Sequence, residues 1–170
     1  MLFRSGASLA ALPPPYTVGG TWTLDAPGGV DLAAFQRTFN LPAPLHWTNR
    51  ETLMTIDRAK DVVIAWDIPA DSSGGIVTVQ LTSHPQDGTS LPSGLSYGVS
   101  CQAAAKTGKL AMSRDWLQKI AATFAGYSSA LSISSDASSP SQLTVPLRAG
   151  GSAPLAVSRY THERMPVVVR

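Results

Sequence analysis

The stretch closest to a chemical motif is Gly94-Leu95-Ser96-Tyr97-Gly98, which fits the G-x-S-x-G pattern of a nucleophile elbow. Asp136 and His162 follow it in the order an α/β-hydrolase uses. That elbow works only when a strand precedes the serine and a helix follows at once, so that the hydroxyl stands clear of a parallel sheet. Here Ser96 lies inside an alternation that continues through Val99 and Cys101, and the chain has no βαβ rhythm. A chain with so many Gly and Ser residues meets the pattern by chance. No catalytic residue is expected.

Other polar constellations reduce to structural roles in the same way. His46, His84 and His162 are scattered over separate elements, with no i, i+4 pair that would hold a metal. Asp25 and Asp31 flank one Gly-rich turn, and Asp67 and Asp71 flank another. Either pair could help hold Ca²⁺ with loop carbonyls, but aspartates in turns usually cap the backbone. Glu51 and Glu163 are the only glutamates and both stand beside arginines. They read as surface ion pairs rather than as the two acids of a glycosidase. Cys101 shares a strand face with Leu95, Tyr97 and Val99, which marks a buried, inert thiol. Neither a metal nor any other cofactor is expected.

Aromatic side chains leave one binding possibility. Trp66 and Trp116 fit apolar stripes and read as core, whereas Trp22, Trp47 and Tyr160 could form an exposed platform for stacking sugar rings.

These residues need elements to position them, and the strongest lie at Asp61–Leu81. Val62-Val63-Ile64-Ala65-Trp66 and Ile76-Val77-Thr78-Val79-Gln80-Leu81 are apolar, β-branched runs separated by a dense turn signal, Pro69 to Gly75. Such residues suit a pleated, half-buried surface, and the spacing predicts a central antiparallel hairpin anchored by Trp66. Further strands are predicted at Thr21–Leu24, across Asp31–Asn40, at Leu45–Thr48 and Leu53–Asp57, and at Leu95–Gln102. Others follow at Ala130–Ser134, Leu143–Leu147, Leu155–Tyr160 and Pro166–Val169. One helix interrupts them: Ser113 caps it, Asp115 favours its dipole, and Trp116, Leu117, Ile120, Ala121 and Phe124 form its stripe before Gly126. It would span about three turns, around residues 113–125.

The predicted fold is all-β, an antiparallel β-sandwich of roughly eight to ten strands, immunoglobulin-like or jelly-roll-like, with that short capping helix. Its 170 residues suffice for one domain with a real core. Only 14% of residues are charged, the net charge is +2, and the many Gly, Pro and Ser suit the turns of extracellular β-proteins. The absence of a Lys/Arg stripe speaks against nucleic acid, and no apolar run reaches the roughly 18 residues of a membrane helix. Residues 1–15, ending in Pro13-Pro14-Pro15, read as a linker or a non-native segment, and residues 16–170 as the sandwich domain. Leu2-Phe3-Arg4-Ser5 matches the translation of a common sequencing adapter, so the chain is expected to be a gene fragment in which Met1 is not the natural start. A ribosome-binding site just before Met1 would refute that.

With the strands in order, a resemblance emerges. Trp22-Thr23-Leu24, Gly28-Gly29-Val30-Asp31 and Phe35 resemble the opening of a C-terminal β-sandwich domain of large secreted acidobacterial proteins that carry repeated immunoglobulin-like modules. Leu45 to Arg50, Ile56-Asp57-Arg58 and Ile64-Ala65-Trp66 resemble its middle, and Tyr97 to Ala103 with the late Pro-bracketed strands its end. The resemblance covers residues 16–170 and implies an extracellular or cell-surface location, a signal peptide and further domains upstream, and no activity or catalytic residue to carry over. The expected function is a non-enzymatic structural or adhesion module contacting a protein or polysaccharide surface. The alternative is a carbohydrate-binding module.

Overall fold

A computed structural model of the chain describes residues 19–41, 43–67, 75–85, 97–120, 122–123, 127–138 and 143–170. Two of its sheets face each other across one core. The larger has five strands in the order β4 (Thr55–Ile56), β12 (Ser158–Val169), β9 (Tyr127–Ser138), β6 (Ile76–Pro85) and β7 (Tyr97–Ala104). The smaller contains β3 (His46–Trp47), β5 (Val62–Asp67) and β8 (Lys109–Met112). All pairings are antiparallel except β4 with β12. The all-β fold is thus as the alternation predicts.

Period-two burial builds the core. Val77, Val79 and Leu81 of β6, Leu131 and Ile133 of β9, and Met165, Val167 and Val169 of β12 point inward from the large sheet. Val62, Ile64 and Trp66 of β5, with Leu110 and Met112 of β8, meet them from the small one. Each such side chain taken fully out of water contributes about 1.5–3 kcal/mol. Trp66 anchors the core, 3% exposed, and its indole N–H donates to the Ala105 carbonyl at 2.9 Å.

The central hairpin is a correction. β5 and β6 belong to different sheets: β5 pairs with β3 and β8, and β6 with β7 and β9. Both runs bury alternate residues, a pattern satisfied equally by two paired strands or by two strands facing each other across a core. The turn stretch 68–74, with Asp71, lies outside the described residues, as do residues 1–18, Ser96, Ala121, Phe124 and Gly126.

Where β3 ends after two residues, a side chain continues its work. Asn49 Oδ1 accepts from the Ala65 N–H at 2.9 Å, and Asn49 Nδ2 donates to the Val63 carbonyl at 2.8 Å. The amide mimics one more ladder residue on the edge of β5 and satisfies groups that would otherwise be left unbonded.

The helix is one turn, α1 (Arg114–Leu117), rather than three. Its start is as predicted, with Ser113 Oγ accepting from the Asp115 N–H at 3.2 Å. Leu117 and Ile120 are buried, but Trp116 is 54% exposed, with the Lys119 ammonium 4.2 Å from its ring centroid. Placing Trp116 in the core was therefore wrong. The short length has a local cause: the Thr123 N–H donates to the Val169 carbonyl at 2.8 Å, and Thr123 Oγ1 accepts from the Val169 N–H at 2.9 Å. The end of β12 thus captures the chain just past Ile120.

Two hairpins complete the architecture, β1 (Gly20–Ala26) with β2 (Phe35–Leu41) and β10 (Leu143–Pro146) with β11 (Ser152–Leu155). Twelve strands are present among the described residues, more than the eight to ten predicted. One face of β1–β2 is polar, with Thr23 and Thr38 hydroxyls 3.3 Å apart, and the other sets Trp22 opposite Phe39. Arg37 Nε donates to the Thr144 carbonyl at 2.9 Å, joining the two hairpins. At Gly28, where φ is +89°, an added Cβ would stand 2.8 Å from the Ala34 nitrogen, so this turn requires glycine.

The longest correction concerns β12. Leu155–Tyr160 and Pro166–Val169 were read as separate strands, yet one strand runs from Ser158 to Val169 straight through Pro166. The N–H groups of Val168 and Arg170 donate to the carbonyls of Met54 and Ile56 on the β4 side. Along a strand every second residue points the same way, so the Pro166 nitrogen also faces away from β9. Its missing donor therefore costs the β9 ladder nothing.

Candidate binding face

The side of the large sheet that faces away from the core presents an ordered array. Directly opposed residues share a face, and the registers of β12, β9, β6 and β7 align them in rows. Tyr160, Asp136, Ile76 and Ala104 form the first row, and His162, Ser134, Thr78 and Gln102 the second. Arg164, Ser132, Gln80 and Ser100 form the third. Strand spacing sets neighbours about 4.8 Å apart within a row, and rows about 6.8 Å apart along the strands.

The array is mostly hydroxyl and amide. Gln102 Nε2 donates to Thr78 Oγ1 at 3.3 Å, and Ser132 Oγ donates to the Gln80 carbonyl at 3.4 Å. Asp136 and Arg164 contribute one charge of each sign. At the β12 margin the Tyr160 and His162 rings lie parallel, with 5° between planes and 6.3 Å between centroids. Tyr160 is 69% exposed. Period two produces this stack, because residues i and i+2 project from the same side of a strand.

The aromatic platform predicted from sequence is not what assembles here. Trp47 is 3% exposed, its indole N–H donates to Asn49 Oδ1 at 3.3 Å, and the Arg50 guanidinium carbon lies 6.0 Å from its ring centroid. Such a ring cannot receive a sugar, and Trp47 leaves the candidate set. Trp22 is half-buried on β1, a different sheet from Tyr160. Tyr160 alone of the three stands on the open face, and its companions are His162 and Arg164. Those two were missed because the predicted strand stopped at Tyr160. The alternation Tyr160, His162, Arg164 was the available signal.

Asp136 and His162, paired in thought with Ser96, do share this face, one row apart. Among the described residues no hydrogen bond joins them, and the His162 ring stacks on Tyr160 instead. No group of three His, Cys, Asp or Glu side chains that could hold a metal occurs among the described residues. Asp31 uses its carbonyl to accept from the Arg148 N–H at 3.0 Å, tying the two hairpins together. His46 and Asp67 oppose each other on the small sheet, and both are exposed. Glu163 forms an ion pair with Arg50 at 3.5 Å, as its polar setting predicted. Cys101 packs against the core, and its burial pushes the thiol above its ordinary pKa, so it stays protonated at neutral pH. No helix of the described residues is long and apolar enough to cross a membrane.

No protein-family model matches the chain, and comparison with curated proteins and with solved structures gives no match.

Proposed function

We propose that this chain is a non-enzymatic extracellular module that adheres to a protein or polysaccharide surface through the outer face of its large sheet. The observation that carries the reading is that face itself: four adjacent strands present exposed or half-exposed hydroxyl, amide and ring groups on a regular grid. An open polar sheet face meets another extended surface better than it encloses a small molecule, for which a closed pocket is the rule. Low charge and many Gly, Pro and Ser support an extracellular setting. The resemblance to C-terminal domains of large secreted proteins supports an immunoglobulin-like or jelly-roll-like module at the end of a longer chain.

Carbohydrate binding is the second reading, favoured by the parallel rings of Tyr160 and His162 on the same sheet face as the Gln80 and Gln102 amides. Aromatic faces bind apolar ring faces while amides bond hydroxyls.

Retention on insoluble polysaccharides, a glycan array and protein-coated surfaces, with and without Ca²⁺, tests both readings. Saturable binding lost in Tyr160→Ala supports the outer face as the contact, and binding confined to polysaccharides selects the second reading. Binding undiminished in that variant would place the contact elsewhere, and no binding to any of these surfaces would remove both readings. The variant is a sound control because so exposed a substitution should change stability by no more than about 0.5 kcal/mol.

A further inference from the structure

We propose that the open edge of β12, Ser158 to Arg164, pairs with the same edge of a second copy of this chain, joining two large sheets into one. The proposal stands on edge geometry and does not depend on what the outer face binds.

β12 pairs with β9 along one side from Ser158 to Val167, but on the other side with β4 only at Val168 and Val169. Before that point no strand among the described residues lies on the β4 side. The even-numbered residues aim their backbone groups that way: the N–H groups of Val168 and Arg170 donate to the Met54 and Ile56 carbonyls, and the Arg164 carbonyl accepts from Arg50 Nη2 at 3.3 Å. By the same alternation, the N–H and C=O groups of Tyr160 and His162 face the open edge. A row of such groups is a template for another strand. Further along, Pro166 and β4 close the edge; from Ser158 to His162 no strand or proline among the described residues does so.

Charge selects the occupant. An edge bearing Arg159 and Glu163 deters an arbitrary strand, but antiparallel pairing about a two-fold axis at Thr161 sets Arg159 across from the partner's Glu163. Both already make contacts within their own chain, and the pairing adds a neighbour of opposite sign. In that register Tyr160 and the partner's His162 exchange backbone hydrogen bonds, and the symmetric pair does the same. The two stacked ring pairs meet across the seam on the outer face. Shifting the axis by one residue to His162 puts that imidazole against the partner's His162 and loses the charge match.

Sedimentation and light scattering on the full chain over a wide concentration range test the proposal. The mass should rise from 17.8 kDa toward twice that value. His162→Pro removes an edge donor without touching the β9 ladder, as Pro166 already does, and should stay at the single-chain mass with an unchanged circular dichroism spectrum. Should that variant misfold, cysteine trapping decides. Thr161 would face its own counterpart as a non-hydrogen-bonded pair with Cα atoms about 4.5 Å apart, inside the range of a disulfide. In a Cys101→Ser background, Thr161→Cys should form a reducible covalent dimer and His162→Cys should not. A wild-type mass that never rises, a dimer that survives His162→Pro, or cross-linking stronger through His162→Cys would each overturn the proposal.

Discussion

The two halves of β12 follow the same ladder with β9 and have opposite surroundings. From Met165 to Val169 the inward side chains are buried, β4 covers the edge, and Thr123 binds both backbone groups of Val169. Arg58 closes this end by donating to the Arg170 carbonyl from its N–H at 3.0 Å and from Nε at 3.1 Å. From Ser158 to Arg164 the inward positions are Arg159, Thr161 and Glu163, all half-buried, while Tyr160 and His162 stand in solvent. Pairing with β9 runs through both halves as far as Val167, so that ladder cannot be what distinguishes them. Apolar cover distinguishes them, because net stabilisation by a ladder hydrogen bond is only about 1 kcal/mol and is similar in the two halves. One half holds the sandwich together; the other has, among the described residues, no strand on its β4 side.

The comparison breaks most visibly at Leu131, fully buried opposite both Leu81 and Met165. Leu131→Ala should cost about 2–5 kcal/mol, seen as a lower urea midpoint. A cost near that of Tyr160→Ala would mean the two halves contribute alike. A smaller effect is expected from the buried hydroxyl chain at the closed end. Ser129 Oγ donates to Ser83 Oγ at 3.2 Å, which leaves Thr123 Oγ1, at 2.8 Å, to donate to Ser129 while accepting from Val169. Thr123→Val strips the acceptor from the Val169 N–H and should cost about 1–3 kcal/mol, with faster hydrogen exchange at Val169. Unchanged exchange there would show that the chain of hydroxyls does not hold the strand end.

The smallest effect concerns acid. The Ala59 N–H bonds Asp57 Oδ1 at 2.9 Å and the Lys60 ammonium stands 3.3 Å from Oδ2, beside β4, and together they hold the Asp57 carboxyl below its ordinary value. A depressed carboxylate contributes stability above its unfolded pKa of about 3.9 and loses it as pH falls through the folded value. Asp57→Asn should therefore lower the urea midpoint slightly at pH 7, by an amount that shrinks below pH 4. Equal midpoint differences at both pH values would assign the effect to the turn geometry alone.

Much of this was legible in the chain. Alternation within Leu95–Gln102 named Val99 and Cys101 as one face, the apolar runs Val62–Trp66 and Ile76–Leu81 named core strands, and Ser113 with Asp115 named the helix start. The face bearing Tyr160, His162 and Arg164 was legible too, had the predicted strand not stopped at Tyr160. Trp47 was not: Leu45 and Trp47 alternate with His46 and Thr48 in a way that leaves either side open to solvent.

What the sequence determined by itself is which side of each strand is apolar, because pleating forces successive side chains to opposite faces and burial rewards the apolar set. Which strand lies beside which was decided only by the tertiary structure. Every strand offers the same backbone donors and acceptors, so hydrogen bonding does not distinguish β6 from β8 as the neighbour of β5. The packing of two sheets around Trp66, Ile64 and Leu131 makes that choice. The same packing runs out before Ser158, and there no strand among the described residues covers the second edge of β12.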